Sequence, residues 1–510
     1  MAVWNYLRKG VYHDSVTLMR LTRDLELVDG IRRAAALMGT PSNRTLLADA
    51  GLLTADGETA SPNDLIIAIE ADASAAARAG AAAAEAALTA SRPSAPAAQT
   101  TPRPRTLQSA LRVLDSANLV LISVPGMHAG FEALKALRAG LHVMLFSDNV
   151  PLSTEIELKR LALSKGLLMM GPDCGTAMIN GTPLGFANVV GRGRIGLAAA
   201  SGTGLQEVSC LIAAAGEGIS QAIGVGGRDL SEEVGGLMMG QVLKILAADP
   251  ETEVVCVLGK PPGASTWQHL QGQLARLGKP CVIHFSGLAS QEHCPWHTAA
   301  TLEDAAQAAV ALARGMRPTP TEFTGPADEI ARLVHETSRA MHPGQRYVRG
   351  IYSGGTLAYE ALGLLQTMLP SVAPGVRGEG EGHTVVDLGE DVFTVGRPHP
   401  MIDGTLRRDW VLKVAQDPST AIILLDIVLG YGAHPDPVEE LLPAVQQAMR
   451  QAWAAGRHLA IVGSVCGTEQ DPQRRSAQVA ALRAHGVMVM PSNAQATRLS
   501  ARIAASLAKG

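Results

Sequence analysis

Residues 201–207 read SGTGLQE, and residues 353–360 read SGGTLAYE. Each phrase follows a short apolar run, RIGLAAA before the first and YVRGIY before the second. Each also sets a glutamate four residues after its threonine, Thr203 to Glu207 and Thr356 to Glu360. A strand that ends in small residues leaves room beside the turn. The helix that follows starts with unpaired backbone N–H groups and the positive end of its dipole. Such a turn suits a phosphate or a carboxylate. The candidate oxyanion contacts are Ser201, Gly202 and Thr203 in the first copy and Ser353, Gly354, Gly355 and Thr356 in the second. A plain helix cap needs the same residue types; the repetition of the whole phrase with its glutamate favours a ligand.

Other residues fall into chemically suggestive groups. GRPHPMIDG (396–404) gathers Arg397, His399 and Asp403 in a proline-stiffened loop, a setting that more often supports function than packing. LGYGAHPDP (429–437) follows the apolar strand AIILLDIV. Asp426 lies within that strand, and a lone aspartate in a buried strand needs a partner or a task. His434 and Asp436 follow just past it. GRGRIG (191–196) fits G-x-G-x-x-G but precedes a strand. A dinucleotide turn needs its glycines between strand end and helix start, so this one is rejected. The six cysteines (174, 210, 256, 281, 294 and 466) form no C-x-x-C pair and stand at no zinc spacing with histidine. They read as buried thiols of a reducing compartment, and no metal site is expected.

These residues need elements to hold them. From about residue 106 strands and helices alternate: ANLVLISVP and GFEALKALRAG, LHVMLFSD and STEIELKRLALSKG, then LLMMGPDCG. Short loops between them imply a parallel, doubly wound sheet with ligands at the carboxyl ends of its strands. Val124-Pro125-Gly126, Ser147-Asp148-Asn149 and Gly171-Pro172-Asp173 then share one edge, which adds Asp173 to the candidate phosphate contacts. Further on, four signals recur in one order: S-G-(G)-T with its glutamate, G-x-D after a strand, D-P-x-T before a strand, and G-K/R before a strand. Four matches in register argue for two tandem copies of one α/β domain.

The expected organisation is a small α+β domain (1–72) and an Ala-rich segment with a Pro-rich linker (73–105). A Rossmann-like domain (106–189) and two flavodoxin-like copies (190–315 and 345–508) follow. Nearly half of the 510 residues are hydrophobic but only 3% are aromatic, the Ala/Val/Leu/Ile composition of α/β layers. A net charge of −4 leaves no basic surface for nucleic acid. No apolar run suits a membrane span, and the start, MAVWNYLRKG, lacks a signal peptide's apolar core. A cytoplasmic protein is expected.

The run LVLISVPGMHAGFEALKALRAG, with GPDCGTAMI, GRIGLAAASGTGLQEVSCLI, GVGGRD and DPETEVVCVLG, resembles the α subunit of succinyl-CoA synthetase. RGIYSGGTLAYEAL, GRPHPMID and LDIVLGYGAHPDP are more particular. They are similar to the FdrA proteins, a bacterial branch of that superfamily, over essentially the whole chain. The first resemblance implies a CoA-binding-like Rossmann domain followed by succinyl-CoA-synthetase-like domains. There an S-G-T helix end and its glutamate stabilise a phosphohistidine, and Ser201, Gly202, Thr203 and Glu207 match that station. Two departures stand out. The CoA-binding glycine turn should lie before residue 106, where this chain is Ala- and Pro-rich. The phosphohistidine's G-H-A-G-A stretch corresponds to GLASQEHCPWHTAA, where neither His293 nor His297 has small neighbours.

The FdrA resemblance implies a component of oxamate carbamoyltransferase in anaerobic purine (allantoin) breakdown. In that reaction phosphate attacks the carbamoyl group of oxalurate, giving carbamoyl phosphate and oxamate. Glu207, Arg397, His399 and Asp403 form the candidate catalytic set, with phosphate as a substrate and no certain cofactor. Two alternatives stay open. One is an ADP-forming acyl-CoA synthetase subunit that uses CoA and ATP or ADP with a separate nucleotide-binding partner; the other is a non-catalytic scaffold with a retained anion site. The expected partners are small anionic molecules and other subunits, either operon-encoded ones in a hetero-oligomer or further copies of this chain.

The Pro-rich stretch RPSAPAAQTTPRPR has little with which to pack. A broad-specificity protease is therefore expected to cut first between Ser91 and Arg105. Mapping the first fragments by mass spectrometry checks this; first cuts elsewhere would move the boundary.

Overall fold

A computed structural model describes residues 2–11, 13, 15–90, 104–287, 294–375, 382–394 and 398–508. The chain forms two compact units, Met1–Arg103 with Asp391–Pro398, and Pro104–Glu390 with His399–Gly510. In the first, strands β1 (Ala2–Arg8), β2 (Ile31–Met38) and β3 (Leu65–Ala71) form an antiparallel sheet in the order β1-β3-β2. The period-two alternation of LIIAIEA serves both faces. Ile67 and Ile69 join Leu18, Leu21 and Leu25 of the helix Ser15–Glu26 in one core, while Ile66 and Ala68 pack with Leu47 and Leu52 in the other. The Ala-rich block is the helix Ser74–Ala90, which docks Ala77, Ala84 and Leu88 into the first core. Small residues let it approach closely: a Cβ at Gly80 would lie 3.0 Å from Ile69 Cδ1 and overlap Ile31. The expected boundary after residue 72 is corrected accordingly, because this helix belongs to the amino-terminal sheet. The Pro-rich stretch Ser91–Arg103 lies outside the described residues.

In the second unit, β4 (Leu119–Ile122), β5 (His142–Leu145) and β6 (Met169–Met170) make a parallel Rossmann-like sheet with the helices Gly126–Arg138 and Leu152–Ser164. Its strand ends adjoin as the alternation predicts. Ser147 Oγ donates to the Val124 carbonyl (2.5 Å), and the Asp173 N–H donates to the Ser147 carbonyl (3.0 Å). Among the described residues no strand precedes β4 in this sheet. Residues 176–185, within the expected 106–189 domain, form the hairpin β7 (Thr176–Ile179) and β8 (Thr182–Gly185), which joins the next sheet by antiparallel pairing of β7 with β10.

That next sheet contains β9 (Arg192–Ala199), β10 (Ile219–Gly224), β11 (Val254–Gly259), β12 (Cys281–Phe285) and β13 (His297–Thr298), in the order β13-β12-β11-β9-β10-β7-β8. The second repeat contains β14 (Tyr347–Tyr352), β15 (Val372–Pro374), β16 (His383–Asp387), β17 (Thr420–Val428), β18 (Ala460–Cys466) and β19 (Met488–Met490). Its order is β15-β16-β14-β17-β18-β19. The five strands β9 to β13 thus occupy the same relative places as β14 and β16 to β19, which is the tandem duplication read from the sequence. No helix among the described residues is long and apolar enough to cross a membrane.

Four helices join the repeats: α1 (Gly202–Ala214), α2 (Leu302–Ala313), α3 (Gly355–Met368) and α4 (Asn493–Leu507). Leu205, Val208 and Ala305 share one buried cluster with Leu357, Ala361 and Leu499. The repeated glutamates lie inside it and cross over. Glu207 of α1 accepts the N–H of Asn493 (3.2 Å), at the start of the other repeat's last helix. Glu360 of α3 accepts the N–H of Leu302 (2.7 Å), at the start of the first repeat's last helix, and also the Asn493 amide (2.8 Å). Each carboxylate satisfies a helix start that the other repeat supplies.

Burial pushes the Glu207 carboxyl up to about 7, against the Asn493 N–H, which lowers it. The native state therefore favours the protonated acid. That contribution is complete below the ordinary value of 4.5 and is lost as pH rises through about 7. Glu207→Gln keeps an acceptor for Asn493 and cannot ionise. Its stability, read by thermal melting from pH 5 to 8, should fall less steeply than the parent's, by at most ~1.4 kcal/mol per pH unit. Equal slopes would remove Glu207 as a source of the pH dependence.

A second buried junction fixes the Rossmann-like domain. Lys159, fully buried, donates to Glu155 (2.8 Å), Asp229 (2.7 Å) and the Val225 carbonyl (3.0 Å). Asp229, the aspartate of the first G-x-D, also accepts the Met239 N–H (2.8 Å). Lys159→Met removes the buried cation between two carboxylates, leaving Glu155 with Arg228 (2.9 Å) and Asp229 with the Met238 and Met239 N–H groups, and should cost about 3–5 kcal/mol in urea denaturation. A loss below ~1 kcal/mol would show that the site relaxes or admits water.

Candidate functional site

Strand β9 ends in Ala198 and Ala199, followed by Ala200, so the turn after it is uncrowded. Ser201 is the N-cap of α1 and accepts the Gly204 N–H at 3.0 Å. In the second copy the extra glycine makes Gly354 the N-cap of α3, which moves Ser353 one residue outside the helix. The threonines keep the same place, second in each helix, and the two turns face each other. Thr356 Oγ1 sits 2.6 Å from Ser201 Oγ, and the Thr356 N–H donates to Thr203 Oγ1 at 3.3 Å. A Cβ added to Gly204 would lie 3.1 Å from the Thr356 methyl, and one on Gly354 would lie 3.1 Å from the Thr203 methyl. Each threonine fills space that a glycine of the other repeat leaves.

The turns match in backbone and differ in chemistry. Among the described residues nothing accepts the N–H of Gly202 or Thr203. In the second turn the equivalent Thr356 N–H goes to Thr203, and Asp426 sits just before the helix start. It accepts the Ser353 N–H (2.9 Å), the Gly354 N–H (2.8 Å) and the Ser353 hydroxyl (3.1 Å). Arg407 Nη2 pairs with the same carboxylate at 2.8 Å, and both groups are buried. The two turns therefore differ in their surroundings: Asp426 accepts the Ser353 and Gly354 N–H groups just before α3, whereas in the first repeat the Ala200 N–H donates to the Leu258 carbonyl (2.9 Å). Strand register exposes the asymmetry. Tyr352 stands beside Asp387 on β16 and next to Asp426 on β17, whereas Ala199 in the first repeat stands beside Gly224 and Leu258.

Asp387 is the main residue that sequence reasoning missed. Its Oδ1 accepts the Gly389 N–H at 2.8 Å, and its Oδ2 lies 2.5 Å from where a Cβ on Gly355 would stand. Burial holds its carboxyl up at about 7; Glu390 and Asp426 add to the shift, while the Gly389 N–H and Lys260 oppose it. Lys260 comes from the first repeat, just past β11, with its ammonium 5.8 Å from the Tyr359 ring of α3. The signals were present but unspecific: Asp387 closes a strand in VVDLGED, and Arg407 lies within the ordinary helical stretch TLRRDW.

The remaining candidates divide. His399 reaches the site, its Nε2 2.7 Å from a Cβ placed on Gly389. Its Nδ1 accepts the Met401 N–H (3.2 Å), and burial lowers it to about 4, which keeps the ring neutral with its proton on Nε2. Asp403 turns back to accept the Thr405 N–H (2.8 Å) and starts the helix Thr405–Gln416. Asp436 caps the helix Pro437–Ala454, and the His434 N–H donates to the Met401 carbonyl (2.8 Å). Asp173 stands exposed at the end of β6 with φ 55°, its Oδ2 3.4 Å from a Cβ placed on Gly227. Glu207 points into the helix interface rather than toward the turn. Arg397 and His293 lie outside the described residues. His297 begins β13, three strands from β9, roughly 14 Å at ordinary strand spacing.

Comparison with known proteins places this geometry. A CoA-ligase family model matches residues 351–503, and a model of the AllF heavy metal-associated domain matches residues 1–104. Residues 1–104 contain no cysteine and a single histidine, His13. Among the described residues no three metal-ligating side chains converge. A soft metal does not fit this domain. The uncharacterized protein YahF of Escherichia coli is 37% identical over 98% of both chains. The ADP-forming sulfoacetate-CoA ligase subunit SauD of Bilophila wadsworthia is 28% identical over 34% of this chain and 61% of its own. The mitochondrial succinate–CoA ligase subunit alpha-2 of Trichomonas vaginalis is 32% identical over 29% of this chain and 48% of its own. The chain thus covers about half to three-fifths of these ligase subunits, and essentially all of the YahF relative. With duplicated ligase-type sheets, facing S-G-T helix starts and an end-to-end relative, the chain belongs to the FdrA-like branch of the succinyl-CoA synthetase α-subunit family.

Proposed function

We propose that this chain is a phosphate-using carbamoyltransferase subunit that cleaves oxalurate with phosphate to give oxamate and carbamoyl phosphate. The observation that carries the reading is the pair of N–H groups at Gly202 and Thr203 that no described residue accepts, beside a second turn whose Ser353 and Gly354 N–H groups go to Asp426. One open oxyanion station suits one dianionic phosphate. Lys260, exposed just past β11 and over Tyr359 of α3, supplies a cation for the substrate carboxylate. Catalysis then rests on holding phosphate oxygen against the carbamoyl carbon and on fixed dipoles at the developing oxyanion. The amino-terminal match to a domain named for AllF accords with the FdrA resemblance.

The CoA-ligase relatives favour a second reading, an ADP-forming acyl-CoA synthetase subunit that binds CoA and works with a nucleotide-binding partner. Against it stands the position of His297, three strands from β9.

The test uses the full chain purified with the products of its neighbouring genes. Phosphate-dependent formation of oxamate from oxalurate is expected, with no acid-labile phosphohistidine after incubation with labelled nucleoside triphosphate. Gly202→Val has space at its Cβ, whose nearest neighbour is Thr176 Oγ1 at 3.5 Å, yet it crowds the open N–H groups. It should raise the KM for phosphate about 10- to 150-fold, the loss of one charge-assisted hydrogen bond, with melting unchanged. Phosphohistidine formation together with CoA-dependent ADP release would put the synthetase reading first.

A further inference from the structure

We propose that Asp387 is the acid–base residue of this site, delivering a proton to the departing nitrogen as the carbamoyl C–N bond breaks. The inference rests on the phosphorolysis reading and adds a residue to it.

Geometry carries the assignment. Asp387 ends β16 at the carboxyl edge of the second sheet, beside the helix start that faces the open turn of the first repeat. Glycines surround it. Its Oδ2 lies where a side chain on Gly355 would have to go, and Gly389 leaves room between its Oδ1, His399 Nε2 and the Ser353 carbonyl. The residue is half-buried, so its carboxyl is not sealed in. Its counterpart in the first repeat is Gly224, so the carboxylate is not part of the duplicated framework.

The two acids that flank Tyr352 play different parts. Asp426 is enclosed, pairing with Arg407 and accepting two backbone N–H groups. Asp387 has the Gly389 N–H at 2.8 Å, faces Asp426 and Glu390, and meets the positive charge of Lys260. Asp426 is thus committed to structural partners, whereas among the described residues Asp387 keeps an oxygen free of them for proton transfer. His399 is neutral and adds no charge.

The step balances without any further reactant. A hydrogen phosphate oxygen bonds to the carbamoyl carbon, and the C–N bond to the oxamate nitrogen breaks. Asp387 gives its proton to that nitrogen and is reprotonated by the proton that hydrogen phosphate loses.

The decisive experiment is the pH dependence of oxamate formation by the full chain with its gene-neighbour subunits, in the parent and in Asp387→Asn and Asp387→Glu. A general acid must be protonated, so the parent rate should fall tenfold per pH unit above about 7, the value set by burial of Asp387. Asp387→Asn should lose about 10²- to 10⁴-fold in kcat and lack that limb, and Asp387→Glu should recover part of both. Thermal melting establishes that each variant is folded. Should Asp387→Asn fail to fold, loss of the alkaline limb or its displacement in Asp387→Glu is the readout, and an unmoved limb overturns the proposal. An active parent whose Asn variant keeps both rate and limb overturns the assignment alone. A parent without phosphate-dependent turnover overturns the phosphorolysis reading, and the assignment with it.

Discussion

Everything in the larger unit hangs on the contact between two helix starts. Thr203 and Thr356 each reach into the other repeat's turn, and the hydroxyls of Ser201 and Thr356 meet at 2.6 Å. Close approach of two positive dipole ends is unfavourable unless something negative or polarisable sits between them. Small residues permit the approach, the paired hydroxyls and Asp426 offset part of the charge, and the crossed glutamates anchor the same helices from behind.

Duplication followed by divergence gives the site its direction. Both sheets order their strands alike, so the same edge positions are available twice. The second repeat fills two of them with acids where the first has Gly224 and Leu258, and the first adds Lys260. A symmetric pair of stations would hold two like anions. Here Asp426 lies beside one helix start and has no counterpart among the described residues beside the other, so the two turns differ in their surroundings.

The duplication, the S-G-T turns and the parallel sheets were legible because period, turn chemistry and spacing are local signals. The destination of the glutamates was not. Their place in the helix shows that they face inward, but their partners are a different helix start in each case, supplied by the other repeat. Asp426 was legible as a problem: a lone aspartate in AIILLDIV needs a partner. Its solution, Arg407 with the Ser353 and Gly354 N–H groups, depends on tertiary packing. The Ala-rich block misled for a physical reason. Low complexity suggests weak packing, yet alanine and Gly80 are what lets that helix lie close on its sheet.

The crossed glutamates also bear on how the chain is made. In a stacked repeat array each unit leans mainly on its neighbours and can nucleate anywhere. Here the first repeat's last helix gains its acceptor only when Glu360 has been synthesised, and Glu207 meets Asn493 roughly 180 residues after that helix ends. At ordinary ribosomal speeds this gap lasts ~10–40 s, during which the apolar flanks of α1 and α2 have no second repeat against which to close. The newborn chain therefore passes through a stage in which its first ligase-type sheet is formed but unsealed. Chaperone engagement and translation rate bear on yield at that stage, before the completed site exists.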